Sequence, residues 1–132
     1  MPNKIQNPNK NSNSYDLIER TAKFGEDVIE FAGTLPRNEI NRPLLSQIVR
    51  SGTSIGANYM EADGAVSKKD FENKIGICRK EAKESMHWFR MIAKANPNHK
   101  DKCRELYKES QEFVWIFSSI INSSKNNSKN KK

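Results

Sequence analysis

The chain has 132 residues, 35% hydrophobic and 30% charged, with a formal net charge of +7. That length supports one domain with one core, and no segment approaches the run of about 20 apolar residues that a membrane span requires. The opening MPNKIQNPNK lacks the apolar stretch of a secretory signal, so the expected location is cytoplasmic.

Residues 1–14 carry Lys4 and Lys10 and no acid; they are rich in Asn and poor in apolar side chains, and read as a disordered tail. The first helix is expected over 15–34. Leu17, Phe24, Val28, Phe31 and Leu35 form its core row, flanked by Ile18, Ala22, Ile29 and Ala32, and Gly33 and Pro36 end it. The second is expected over 42–63, with Pro43 in the first turn and Gly64 as the stop. The third, 67–95, opens on the capping-box-like Ser67-Lys-Lys-Asp70 and breaks at Asn96-Pro97. Its inward row is Phe71, Ile75, Cys78, Ala82, Ser85, Phe89 and Ile92. The fourth, 98–121, turns Cys103, Leu106, Tyr107, Phe113, Val114, Phe117, Ile120 and Ile121 inward. Residues 122–132, with Lys125, Lys129, Lys131, Lys132 and no acid, read as a second disordered tail. No segment of length alternates with period two. The expected fold is therefore all-α, an antiparallel up-down four-helix bundle over 15–121. Cys78 and Cys103 lie on apolar rows outside any CxxC or Cys/His cluster, and read as buried free thiols.

One segment breaks the pattern of ordinary helices. Leu44–Ala62, LLSQIVRSGTSIGANYMEA, begins as an amphipathic helix and runs into Ser51, Gly52, Thr53, Ser54 and Gly56. Each interior glycine costs a helix roughly 1 kcal/mol against alanine. A phosphate-binding loop fails on spacing, because no Lys follows the second glycine and no strand precedes the first. A helix fits better. Gly52 and Gly56 share a face, Ile48, Ile55, Tyr59 and Ala62 continue an apolar face beside them, and small residues so placed admit a neighbouring backbone. That neighbour lies either in the same bundle or in another subunit. Asn58 and Glu61, one turn apart beside this seam, are expected to hydrogen-bond to an adjacent helix.

Ser51-Gly-Thr-Ser-Ile-Gly-Ala-Asn-Tyr59, Glu61-Ala62, Ser67-Lys-Lys-Asp-Phe71, Lys80-Glu-Ala-Lys-Glu84 and Trp88 together resemble the bacterial four helix bundle protein family, also called the 23S ribosomal RNA intervening-sequence protein family. The resemblance spans about residues 15–121. It implies a four-helix bundle that assembles as a ring-shaped homopentamer and has no known catalytic activity. A similar relative, the accessory variability determinant of diversity-generating retroelements, is a pentamer that binds nucleic acid and partners a reverse transcriptase. Members may be encoded inside rRNA intervening sequences. Lys83 departs from the family, which often has an acid there.

Charge is distributed unevenly. The tails hold +6 of the total, so the body is nearly neutral, yet within it the first helix nets −3 and the third +4. On the third helix Lys69, Asn73, Gly76, Lys80, Lys83, His87, Arg90 and Lys94 follow one another at alternating four- and three-residue steps. They form one acid-free stripe about 40 Å long. Like charges at these spacings repel, so such a stripe suggests a polyanion, most simply a nucleic-acid backbone met without sequence readout. A solvated face, or one paired with the acidic first helix of a neighbour, is the competing reading. Trp88 and Trp115 are expected to pack within the bundle or between subunits rather than stack bases.

Glu84-Ser-Met-His87 is an E-x-x-H unit of the di-iron type, but such a centre needs two of them, and Asn96 stands three residues before the only other histidine, His99. No metal, cofactor or nucleophile–base pair is expected, and the protein reads as a non-enzyme. The expected function is nucleic-acid binding, RNA by preference, through Lys69, Lys80, Lys83, His87, Arg90 and Lys94. Gly52, Ile55, Gly56, Asn58, Tyr59, Glu61 and Trp88 are assigned to helix packing or self-assembly. The competing function is a scaffold docking a protein partner such as a reverse transcriptase.

Overall fold

A computed structural model describes residues 10–130, with side chains described over 16–127. Four helices follow in order: α1 Lys10–Gly33, α2 Asn41–Asp63, α3 Lys68–Ala95 and α4 Lys100–Asn130, with a single 3-10 turn at Pro97–His99 before α4. There is no strand among the described residues.

Cross-helix contacts fix the direction of each neighbour. Asn41 at the start of α2 meets Asn96 just past the end of α3, while Glu61 near the end of α2 meets Lys74 near the start of α3. Arg79 reaches Ser118, and Glu72 meets Ser124. Thr21 lies against Gly56 and Val28 against Gly52. Consecutive helices therefore run antiparallel. Phe24, Phe89, Phe113 and Phe117, all buried, fill the centre. Phe24 meets Phe113 edge-on with centroids 5.4 Å apart, a favoured aromatic geometry. The inward rows of α2 and α3 lie as their periodicity predicts, with Phe71 partly exposed at the end of its row.

Local chemistry sets the helix ends. Ser67 is extended, and its hydroxyl accepts from the Asp70 N–H at 3.0 Å, satisfying one of the first-turn donors. The Asn38 side chain does the same for Ile40 and Asn41 at the start of α2. No described residue, glycine included, has a positive φ. The glycines of α2 thus answer a need for space, not for backbone freedom.

Two expectations change. The first concerns the chain ends: α1 starts at Lys10 and α4 runs to Asn130, so residues 10–14 and 122–130, read as tails, are helical. Extending an existing helix adds one hydrogen bond per residue without a new nucleus, and Ser124 hydrogen-bonds Glu72 across to α3. Residues 1–9 and 131–132 lie outside the described range. The second concerns α1, whose flanking row is core only in part: Ala32 is buried, whereas Ile29 is 54% exposed, Ala22 is exposed and Ile18 half-buried. Of the adjacent helix pairs, α1 and α4 approach least closely. They leave a groove of about 820 Å³ that Arg20 bridges by donating to Glu109 and Glu112. Those hydrogen bonds, Glu109 first, raise the Arg20 pKa against the opposing pull of burial.

A buried amide pair, unseen in the sequence, ties the two loops at one end of the bundle. Asn41 and Asn96 exchange reciprocal hydrogen bonds at 2.9 Å; Asn41 also donates to the Pro36 carbonyl and Asn96 to that of Ile92. Removing one partner strands the other where water cannot replace it, and each orphaned polar group costs about 1–3 kcal/mol. Asn96→Ala should therefore destabilise the fold by about 2–3 kcal/mol, read as a lower urea midpoint at an unchanged denaturant slope.

Cys78 and Cys103 are buried free thiols, and desolvation pushes their pKa values up to about 12 and about 11. Such thiols are poor nucleophiles. No helix is long and apolar enough to cross a membrane among the described residues.

Candidate nucleic-acid interface

α3 packs between α2 and α4, so one of its faces looks outward. Lys69, Asn73, Lys80, Lys83, His87, Arg90 and Lys94 are all exposed on that face. Gly76, in the same line, has no atom within 4 Å of where a Cβ would stand. Packing therefore does not require a glycine there, although it weakens the helix. What it does leave is an open stretch of backbone that a ligand can approach closely.

Among the described residues, no ion pair within 4 Å engages any cation of the stripe. The carboxylates of α3 are handled separately. Glu81 is buried and accepts from Arg50 of α2 at 3.1 Å. Glu84 accepts from Arg50 and from the Trp88 indole N–H. Partial burial pushes the Glu84 pKa up, but these two hydrogen bonds, with attraction from Arg50 and Lys80, hold it below the usual range. The Arg50 pKa is raised in turn, chiefly by its hydrogen bond to Glu84. Glu72 accepts from Ser124. Glu72, Glu81 and Glu84 are therefore turned to the flanks and partnered, and the cations are left facing water. In three dimensions the stripe is an exposed, acid-free ridge whose cations cluster from Lys80 to Lys94, with Lys69 apart at its start.

His87 and Glu84 do not converge. The His87 ring stands edge-on to Trp88 at 4.9 Å and is exposed, while Glu84 turns to α2. No group of three or more His, Cys, Asp or Glu positioned to hold a metal occurs among the described residues. Trp88 is half-buried against the core, so it supports the base of the ridge. Trp115 is 62% exposed, so of the two expected placements it is not packed within its own bundle.

The residues assigned to packing separate into two groups. A Cβ on Gly52 would lie 3.0 Å from a Val28 methyl, and one on Gly56 would lie 3.4 Å from the Thr21 backbone. The close approach predicted from the glycines is thus made inside the bundle, by α1. Gly25 completes it from the other side, 3.6 Å from Thr53 by the same measure; its place in the seam was not legible in the sequence. Ile55 is fully buried, and Tyr59, also buried, lies beside Phe117. Glu61 does bond to a neighbouring helix, accepting from Lys74 of α3 at 2.7 Å, which raises the Lys74 pKa. Asn58 does not: its amide donates to the Ser54 carbonyl one turn back in its own helix. A buried Ser51–Ser85 hydroxyl contact at 2.8 Å joins α2 to α3 beside Gly52.

The model of the 23S rRNA-intervening sequence protein family matches residues 13–119, which takes in all four helices. The chain belongs to that family. A solved structure of similar shape is described as a protein of unknown function from the S23 ribosomal protein family of Bacteroides thetaiotaomicron VPI-5482. It shares 29% identity, with a TM-score of 0.75, and the match covers 83% of this chain and 97% of that one. No curated protein matches. Family membership agrees with the four-helix architecture and leaves the chemistry of the ridge to be argued from its residues.

Proposed function

We propose that this member of the 23S rRNA-intervening sequence protein family is a non-enzymatic homo-oligomer that binds nucleic acid, RNA in the first instance, along α3. One observation carries the reading: Lys69, Lys80, Lys83, Arg90 and Lys94 stand exposed and without ion-pair partners, while Glu72, Glu81 and Glu84 of α3 are engaged at the flanks and only Asp70, at the first turn, is not. A straight row of this kind suits backbone phosphates, whose capture releases counterions and needs no base readout. Gly76, open on the same line, leaves room for the polymer to lie against the helix.

The self-association surface is assigned to α1 and α2. Ile29 and Met60, 54% and 57% exposed, flank a groove of about 260 Å³ that Ala22, Gly25 and Ala57 also line. An apolar strip of this kind on a small domain suits a partner, and the family resemblance makes that partner further copies of the chain in a pentamer. A ring repeats the ridge and multiplies weak contacts through effective concentration. Light scattering with and without RNA tests both parts. The expected result is the mass of a pentamer alone and a larger mass with RNA. A monomer, or an RNA-independent mass, contradicts the proposal.

The α1–α4 groove favours a second reading. Its lining is net acidic, seven carboxylates against four cations, with Asp16, Glu19 and Glu26 outside the ion pairs there, a surface suited to a basic segment of a protein partner such as a reverse transcriptase. Genes next to this one discriminate: a reverse transcriptase with variable repeats favours the scaffold, an rRNA operon the intervening-sequence setting.

A further inference from the structure

We infer that the nucleic acid is held single-stranded, with Trp115 of α4 as a base-stacking platform beside the α3 ridge. This rests on the nucleic-acid reading and goes beyond it by naming the strand form and a second contact residue. Trp115 is 62% exposed, which is unusual for a side chain of its size. It sits in its own acid-free row: Lys108, Gln111, Trp115, Ser118, Asn122 and Lys125 follow at three- and four-residue steps, so they share one face of α4. Lys108, Asn122 and Lys125 are exposed, and no ion pair engages Lys108 or Lys125 among the described residues. Glu109 and Glu112 turn toward α1, where both hold Arg20, and Glu105 is taken by Lys102.

The two rows lie side by side. Arg79 of α3, next to Lys80, donates to Ser118 at 3.3 Å, which joins the flank of the ridge to the α4 row. Because α3 and α4 are antiparallel, Trp115, one turn before Ser118, comes level with Lys83. Packed helix axes are about 8–10 Å apart, so the two rows are on neighbouring helices, and a single strand lying across them can put phosphates on the α3 cations and a base on the α4 indole. In a duplex the bases are stacked and paired inside and cannot reach an outward indole, whereas an unpaired strand can offer one.

An apolar protein partner is the rival occupant, since Trp115 also walls a groove of about 530 Å³ toward α1 with Leu17, Ile116 and Ile120, where Asp16 and Arg20 put one charge of each sign. The side chains one turn away on either side of Trp115 are Gln111, Glu112, Ser118 and Ser119, all polar. Exposed indole in a polar, partly cationic row suits a π-face ligand carrying negative charge better than an extended apolar surface.

The test uses the full chain with an unstructured oligouridylate and an RNA duplex of equal phosphate number. Oligouridylate should quench the tryptophan fluorescence of the wild type. Trp115→Phe should bind about as well without that quenching. Trp115→Ala, with an unchanged circular-dichroism spectrum, should lose roughly ten-fold or more in oligouridylate affinity and nothing on the duplex. If Trp115→Ala binds oligouridylate like the wild type, or loses equally on both ligands, the stacking assignment is wrong. If in the same assay Lys80→Glu with Lys83→Glu loses binding, the ridge reading survives that failure. Retention of binding by that double variant sinks the ridge instead. Wild type that binds neither ligand overturns both.

Discussion

Replacing Lys80 and Lys83 together by glutamate should weaken RNA binding roughly 100-fold at about 0.1 M salt, with the helical content and unfolding midpoint nearly unchanged. The size follows from counterion release. At that salt each lost phosphate contact on a single strand costs about five-fold, and two added negative charges repel the strand as well. The fold should survive because both side chains are exposed and without ion-pair partners. Lys80 attracts Glu84 only at longer range, and Arg50 and Trp88 already hold that carboxylate. Exposed like charges spaced along a helix repel by a few tenths of a kcal/mol per pair, so breaking up the run of lysines does no harm to the helix. A gel-shift titration checks the prediction. Binding by the double variant equal to that of the wild type would place the nucleic acid elsewhere, or nowhere.

Gly52→Leu should lower the stability of the fold, by more than Gly56→Leu, and in both the packing cost should exceed what helix propensity returns. A Cβ at position 52 would already stand 3.0 and 3.2 Å from the two methyls of Val28, a β-branched side chain with few rotamers. The rest of the leucine has no space, because Gly52 and Val28 are both buried. α1 must move outward, carrying Phe24 from its edge-on contact with Phe113. Overpacking of this kind costs about 1–3 kcal/mol and sometimes more, against about 1 kcal/mol regained by removing a helical glycine. At position 56 the obstacle is the Thr21 backbone at 3.4 Å, but the seam opens there into the groove between Ile29 and Met60, where a leucine can partly turn. Thermal unfolding of both variants ranks the two costs. A Gly52→Leu protein as stable as the wild type would show that the α1–α2 contact is not tight.

Much of this architecture is legible in the chain. Regular apolar rows phase α2 and α3, Ser67 announces a helix start, and Asn96-Pro97 announces a stop. Three short connections leave an antiparallel bundle as the simple solution. The two α2 glycines at one turn's spacing point to a close contact, and the structure supplies the partner as α1. The places where reading failed have physical reasons. In Phe113-Val-Trp-Ile-Phe117 every position is apolar; periodicity turns Phe113 and Phe117 inward and leaves Trp115 off that row, but it does not say that no other helix of the same chain covers the indole. Ile29 and Ala22 widen the apolar face of α1 beyond what a single chain buries, a signal that resembles core until the neighbouring helices are placed. Asn58 carries a donor that its own helix can satisfy, so its position beside the seam does not compel a cross-helix bond. The Asn41–Asn96 pair joins residues 55 apart in sequence, and nothing local marks either as a partner. Residues 122–130 are polar throughout, yet they continue a helix that is already formed.

The α3 stripe was visible as a spacing of residue types. Its exposure, and the removal of its acids to the flanks, depended on Arg50 and Ser124 reaching across from α2 and α4. Those contacts separate a ridge open to a polyanion from a helix face whose charges cancel one another.

The most direct measurement is the dependence of RNA affinity on salt for the wild type and for the Lys80→Glu, Lys83→Glu protein. With five stripe cations on a single strand, log K should fall against log salt with a slope of about −3 to −4, and the double variant should be shallower by one to two. A wild-type slope near zero, or equal slopes for the two proteins, would contradict an interface built on α3.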